Sequence, residues 1–190
     1  MSTIVAVKKN GKACIAADTL TTFGEIKQSS EYDSTHDKIH LYNGTYFGIV
    51  GSAAHQIVMQ SALEKHGTEL KFNDQRAVFE SFRKLHPILK EEYFLNPKDE
   101  DDDPYESSRI DTLIINPHGI FAVYALREVF DYSRFWAVGS GGDIALGAMY
   151  AIYDRAENAE EIAKIGIEAG ATFNNATALP MTSYTIDLNN

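Results

Sequence analysis

Cysteine occurs once in this 190-residue chain, at Cys14. No internal disulfide can form, and a reducing compartment is expected. Cys14 falls in a strand-like stretch and reads as a small core residue. Long apolar runs are also missing, since none approaches the roughly 18 residues that cross a bilayer. The first residues, Met1 to Val7, lead straight into Lys8, Lys9 and Asn10, so no secretory signal is expected and a cytoplasmic location follows. Basic charge is scarce: 17 Lys and Arg stand against 27 Asp and Glu, a net charge of −10. Such a balance excludes nucleic acid and anionic membrane as main partners. Nor is there an internal repeat or a low-complexity linker, and one domain over residues 1–190 is expected.

What is present begins with turns. Asn10-Gly11 and Asn43-Gly44 each separate strand-like stretches and predict tight hairpins. The apolar run Ala13 to Ala17 suits a strand buried on both faces. Helical spacing follows, with a stripe of Ala54, Ile57, Val58 and Ala62 ended by Gly67. A second stripe joins Val78, Phe79, Phe82, Leu85 and Leu89, capped by Asn73 or Asp74, with a kink expected at Pro87. Residues 96–108 read as an acidic surface loop around Asp99–Asp103, without the spacing or glycine of a calcium loop. Strands return at 110–115 and 119–126. After Gly139-Ser140-Gly141-Gly142 comes a helix with Ala145, Ala148, Met149 and Ile152 inward. Asn158 and Glu161 form a capping box for the last helix, whose inward face carries Ile162, Ile165, Gly166 and Ala169; strand 183–188 closes the chain. This order of strands, helices, strands, helices and strand predicts an α+β layered domain.

Ser2 is the first candidate for chemistry. A serine hydroxyl is a weak nucleophile until a base takes its proton. Initiator methionine is commonly removed before a residue as small as serine. Ser2 would then carry a free α-amine of pKa about 7.7–8, well matched to act as that base. If Asn10 and Gly11 are the two loop residues, Lys9 faces Lys12, Thr3 faces Asp18 and Ser2 faces Thr19. Asp18 is thus one pair from Ser2, at the end of an apolar run where a lone carboxylate is costly. Strict alternation sends Asp18 to Thr3's face, so a bend or bulge is expected. His36 and His40 flank a strand rather than share a helix face, which argues against paired metal ligation. Gly139–Gly142 lacks the P-loop lysine.

Residues Ser2–Gly11, then Ile15-Ala16-Ala17-Asp18 and Phe23-Gly24, resemble the start of the bacterial HslV-type peptidases and proteasome β-subunits. Lys38-Ile39, Gly51-Ser52-Ala53-Ala54 and Ala137–Gly142 agree in order and spacing. The resemblance implies the four-layer αββα sandwich of the N-terminal-nucleophile hydrolases, with Ser2 in place of the family's processed threonine. It also implies that Asp18 is the acidic partner and that the charge of Lys38 keeps the amine neutral. Gly51 matches the glycine whose N–H stabilises the oxyanion, and Ser140 the serine that organises the amine. Lys27 competes with Lys38, but only Lys38 leads into the pattern Ile39-His40-Leu41.

A stacked double ring of identical subunits, unfolded polypeptide substrates, an ATP-driven ring unfoldase and no cofactor are further implications. Two departures stand out. Serine lacks the β-methyl that restricts χ1, so slower turnover is expected. Asn174-Asn175 stands where proteasome chains carry a supporting acidic residue. The acidic loop reads as an insertion that places the chain nearer the divergent bacterial proteasome homologues. Two other readings remain open at this level: a non-catalytic ring subunit acting as scaffold or gate, favoured if Met1 is retained, and an amidase acting on small molecules.

Overall fold

The structure is a computed structural model, and it describes residues 2–96, 105–125 and 127–189. The acidic run Asp99–Asp103 and Met1 lie outside the described residues. In chain order the strands are β1 (Thr3–Lys9), β2 (Lys12–Asp18), β3 (Thr21–Phe23), β4 (Ile26–Gln28), β5 (Ile39–Tyr42) and β6 (Thr45–Val50). Helices α1 (Ala53–His66) and α2 (Gln75–Glu91) follow. Then come β7 (Asp111–Asn116), β8 (Gly119–Val123), β9 (Val129–Tyr132) and β10 (Phe135–Gly139). Helices α3 (Gly142–Ile152) and α4 (Ala159–Phe173) precede β11 (Met181–Asp187).

The Asn-Gly pairs set the first registers. Asn10 and Gly11 both take positive φ, as do Asn43 and Gly44, the geometry that lets a two-residue turn follow the strand twist. Lys9 therefore faces Lys12, and the ladder runs unbroken to Ile4 opposite Ala17. The first sheet has the order β10-β1-β2-β11, and the second β5-β6-β7-β8-β9, all neighbours antiparallel.

Strand alternation distributes β1 and β2 between two cores. Ile4, Ala6, Ala13, Ile15 and Ala17 meet Leu113, Ile115, Ile120 and Ala122 of the second sheet. Val5, Val7, Cys14 and Ala16 meet Ala145, Met149, Ile162 and Ile167 of α3 and α4. A third core joins Phe47, Ile49, Ile114 and Phe121 to Met59, Phe82, Leu85 and Leu89 of α1 and α2. Helix pair, sheet, sheet, helix pair: this is the expected αββα sandwich. Burial of Cys14 pushes its thiol pKa up to about 11, so it serves as a core residue.

Several local expectations need correction. The α1 stripe is rotated: Met59, Ala62 and Leu63 are the buried residues, while Ile57 is 63% exposed. Phe79 is also largely at the surface of α2. Helix α2 continues through Pro87 to Glu91, with Asp74 as its cap. In α4, Ile165 and Ala169 are half-buried, and Ala163, Ile167 and Gly170 take the inward face. The strands β3, β4 and β9 had no clear signal, being only three or four residues long.

Candidate active site

The ends of β1, β2, β6 and β10 converge. Ser2, immediately before β1, is 6% exposed and lines a small cleft with Thr21, Lys38, Gly51, Ala53 and Gln56. A larger cavity of about 410 Å³ shares Thr21, Lys38, Ala53 and Gln56 with that cleft, and Phe23, His40 and Ile57 add to its walls. Exposure of Ile57 is explained by this position.

Asp18 is fully buried at the end of β2. Its Oδ1 accepts the backbone N–H of Thr3 at 2.8 Å and the ammonium of Lys38 at 2.8 Å. Its Oδ2 accepts the N–H of Leu20 at 3.1 Å and that of Ala178 at 3.5 Å. The ladder reaches this end without interruption, so no bulge is needed. The carboxylate reaches the strand end through its own side chain, taking a backbone donor rather than the Ser2 side chain. Lys38 is buried beside it and also donates to the carbonyl of Leu20 at 2.7 Å. Burial lowers the pKa of the ammonium, and the charge of Asp18 partly offsets this. Lys27, the competitor, lies exposed on β4.

Gly51 follows β6 with φ +123°, a conformation that side chains disfavour. Ser52 caps α1, so the positive end of that helix adjoins the cleft lined by Gly51, Ala53 and Gln56. Gly139 closes β10 at φ +92°; a Cβ there would fall 1.9 Å from the carbonyl oxygen of Ser2. Only glycine permits that approach, which lets the N–H of Ser140 donate to the same carbonyl at 2.8 Å.

Three residues at the site escaped the sequence reading of roles. Asn174 Nδ2 donates to the carbonyl of Ser140 at 2.9 Å, which fixes Oδ1 as an acceptor. Oδ1 receives the hydroxyls of Ser140 and Thr177, each at 3.2 Å. Since Thr177 donates there, it accepts from Thr3 across a 2.6 Å contact, and Thr3 accepts from the N–H of Gly141 at 3.0 Å. The chain Gly141 to Thr3 to Thr177 to Asn174 thus runs in one direction. A neutral amide bonds Ser140, in the stretch where the sequence departs from the acidic residue of proteasome chains. Thr3 and Thr177 gave no signal, because their contact joins opposite ends of the sequence.

This arrangement brings a serine, a buried ion pair and a positive-φ glycine to one cleft, residue types that acyl transfer can use. Among the described residues no helix is long and apolar enough to cross a membrane.

No family model matches the chain. Curated relatives do. The ATP-dependent protease subunit HslV of Caldicellulosiruptor saccharolyticus is 30% identical over 194 residues, covering 95% of this chain and 98% of its own. The same subunit of a Thermoanaerobacter species is 30% identical over 191 residues, covering 93% and 96%. Among solved structures, BPH from Thiobacillus denitrificans in complex with epoxomicin is 39% identical with a TM-score of 0.91, covering 99% and 100% of the two chains. Eukaryotic HslV from Trypanosoma brucei is 18% identical at a TM-score of 0.70, covering 97% and 99%, a likeness of fold.

Proposed function

The chain belongs to the HslV family of ATP-dependent protease subunits, and from that premise we propose that its peptidase nucleophile is Ser2, freed as the N-terminus by removal of Met1. The observation that carries this reading is the shared cleft of Ser2, Lys38 and Gly51, with Asp18 bound to Lys38. The Ser2 α-amine takes the hydroxyl proton as Oγ attacks the scissile carbonyl. Lys38, a cation at the same cleft, disfavours protonation of the amine and keeps it basic. Gly51 N–H stabilises the tetrahedral oxyanion, aided by the N-terminal end of α1. Collapse breaks the C–N bond, the proton passes to the leaving amine, and an ester remains on Ser2. Water, deprotonated by the same amine, then releases the acyl group and restores the hydroxyl. Asp18 anchors Lys38 and the Thr3 N–H, and Ser140 holds the Ser2 carbonyl.

The 410 Å³ cavity receives the substrate side chain next to the scissile bond. Substrates are unfolded polypeptides in the cytoplasm, admitted to a double ring of identical subunits. The matched relatives are named ATP-dependent. In this chain the glycine-rich loop at Gly139–Gly142 is occupied with Ser2 and Thr3. On this reading ATP use falls to a separate ring unfoldase.

Intact mass establishes whether Met1 is gone. A peptide β-lactone or boronate should then modify Ser2 and leave Ser2→Ala untouched. Equal labelling of Ser2→Ala would sink the assignment. Absence of labelling and turnover after Met1 removal would favour a non-catalytic ring subunit instead.

A further inference from the structure

Helix α1 brings a histidine against the glycine of the oxyanion step. His55 sits in its first turn, and its N–H donates to the carbonyl of Ser52 at 2.9 Å. A Cβ built at Gly51 would fall 2.6 Å from His55 Nδ1, so the imidazole edge lies directly against the Gly51 α-carbon. That Nδ1 is buried and has no hydrogen-bond partner among the described residues. Gly51 itself holds a φ of +123°, open to glycine and disfavoured by other residues, and the ring fills the space a side chain there would need. We propose that His55 is a positioning residue for the oxyanion step: its neutral imidazole, seated on Gly51, holds the glycine peptide in the geometry that serves Ser2. The inference rests on the reading of Gly51 as the oxyanion donor.

The neutrality of His55 has a visible cause. Burial lowers its pKa first, and the guanidinium of Arg109 adds to this. Gly51 and His55 share a cavity of about 650 Å³ with Arg109 and Asp111 at the start of β7 and Tyr93 after α2. Among the described residues, Arg109 and Asp111 are the charged groups lining that cavity, and Tyr93 is its other titratable group beside His55. With the neutral ring's proton on Nε2, a proton added to Nδ1 would point at the Gly51 α-carbon, where the described residues offer no acceptor. Protonation must therefore displace either the ring or the glycine. Two separate protons then oppose the reaction in acid, one on the Ser2 amine and one on His55.

The test uses the assembled, Met1-free protein and a fluorogenic peptide, with kinetics from pH 5 to pH 9. His55→Ala should lower kcat about tenfold or more with KM nearly unchanged, because the lost contact acts only on the charged intermediate. His55→Asn places a neutral amide atom near the Nδ1 position and should restore most of kcat at pH 8. In the acid limb the log of kcat/KM should fall more steeply in the parent protein than in His55→Asn, which has lost one of the two protons. Unchanged kcat in His55→Ala, an effect confined to KM, or an acid limb equally steep in His55→Asn and the parent would each overturn the proposal. If His55→Ala does not assemble, the slope of His55→Asn decides alone. A parent protein that neither turns over peptide nor labels at Ser2 would refute the functional reading itself, which keeps the two failures distinct.

Discussion

Replacing Asp18 by alanine should be rescued, in stability, by also removing the lysine it holds. Asp18 and Lys38 form a buried pair at 2.8 Å, and the carboxylate also receives the N–H groups of Thr3 and Leu20. Asp18→Ala strands an ammonium whose remaining partner is the carbonyl of Leu20, and it leaves two buried N–H groups unpaired. Breaking a buried pair from one side costs about 3–5 kcal/mol. For a chain of 190 residues that is a fall in Tm of roughly 6–20 °C. Lys38→Met removes one donor but leaves the carboxylate bound by Thr3 and Leu20, so a cost of about 2 kcal/mol, near 6 °C, is expected. In Asp18→Ala/Lys38→Met no charge is stranded. The double variant should therefore melt above Asp18→Ala while showing no peptidase activity. Thermal melts at one fixed protein concentration, followed by circular dichroism, measure all four proteins. A double variant that melts at or below Asp18→Ala would show that the stranded ammonium is not the main cost, and would refute the argument.

Ser2→Thr restores the β-methyl that narrows χ1 and should raise kcat by a factor of a few; a tenfold fall would show that the site is fitted to serine. Gly139→Ala drives a methyl into the Ser2 carbonyl and should cost about 3 kcal/mol and abolish labelling by a β-lactone, whereas a parent-like melt would contradict the geometry. Tyr184 donates to Asp37 at 2.5 Å, and this bond, then burial, raises its pKa from 10.0 to about 12. A raised phenol contributes stability that is complete below pH 10 and lost as pH climbs toward 12. The Tm of the parent should therefore fall more steeply than that of Tyr184→Phe over this range, and parallel curves would refute the assignment.

The local signals in the sequence translated well where the cause was local. Asn10-Gly11 determined the β1–β2 register through positive φ, and that register placed Asp18 beside Thr3. Asp74 and Asn158 were legible as caps because a cap bonds within three residues. The α1 stripe misled, since Ile57 fits the helical period but faces a cavity rather than the core. The bulge expected at Asp18 came from treating strand alternation as the limit of reach, when a carboxylate can turn back to a backbone N–H. Ser2 and Asp18 were reached from residue chemistry and the hairpin register, and their roles, with Lys38, Gly51 and Ser140, through the resemblance. Asn174 was noticed only as a missing carboxylate, and Thr177 and His55 depend on tertiary packing that no spacing announces.

The contact of Thr3 with Thr177 joins residues 174 positions apart, and Ser140 closes on Ser2 across 138. Loops of that length close late, because the entropy of bringing the ends together must be met before such contacts form. A nascent or half-folded copy therefore has Ser2 and Thr3 in hand but not the contacts that surround them. For a subunit of this protease family, the topology itself delays completion of these contacts until the whole subunit has folded.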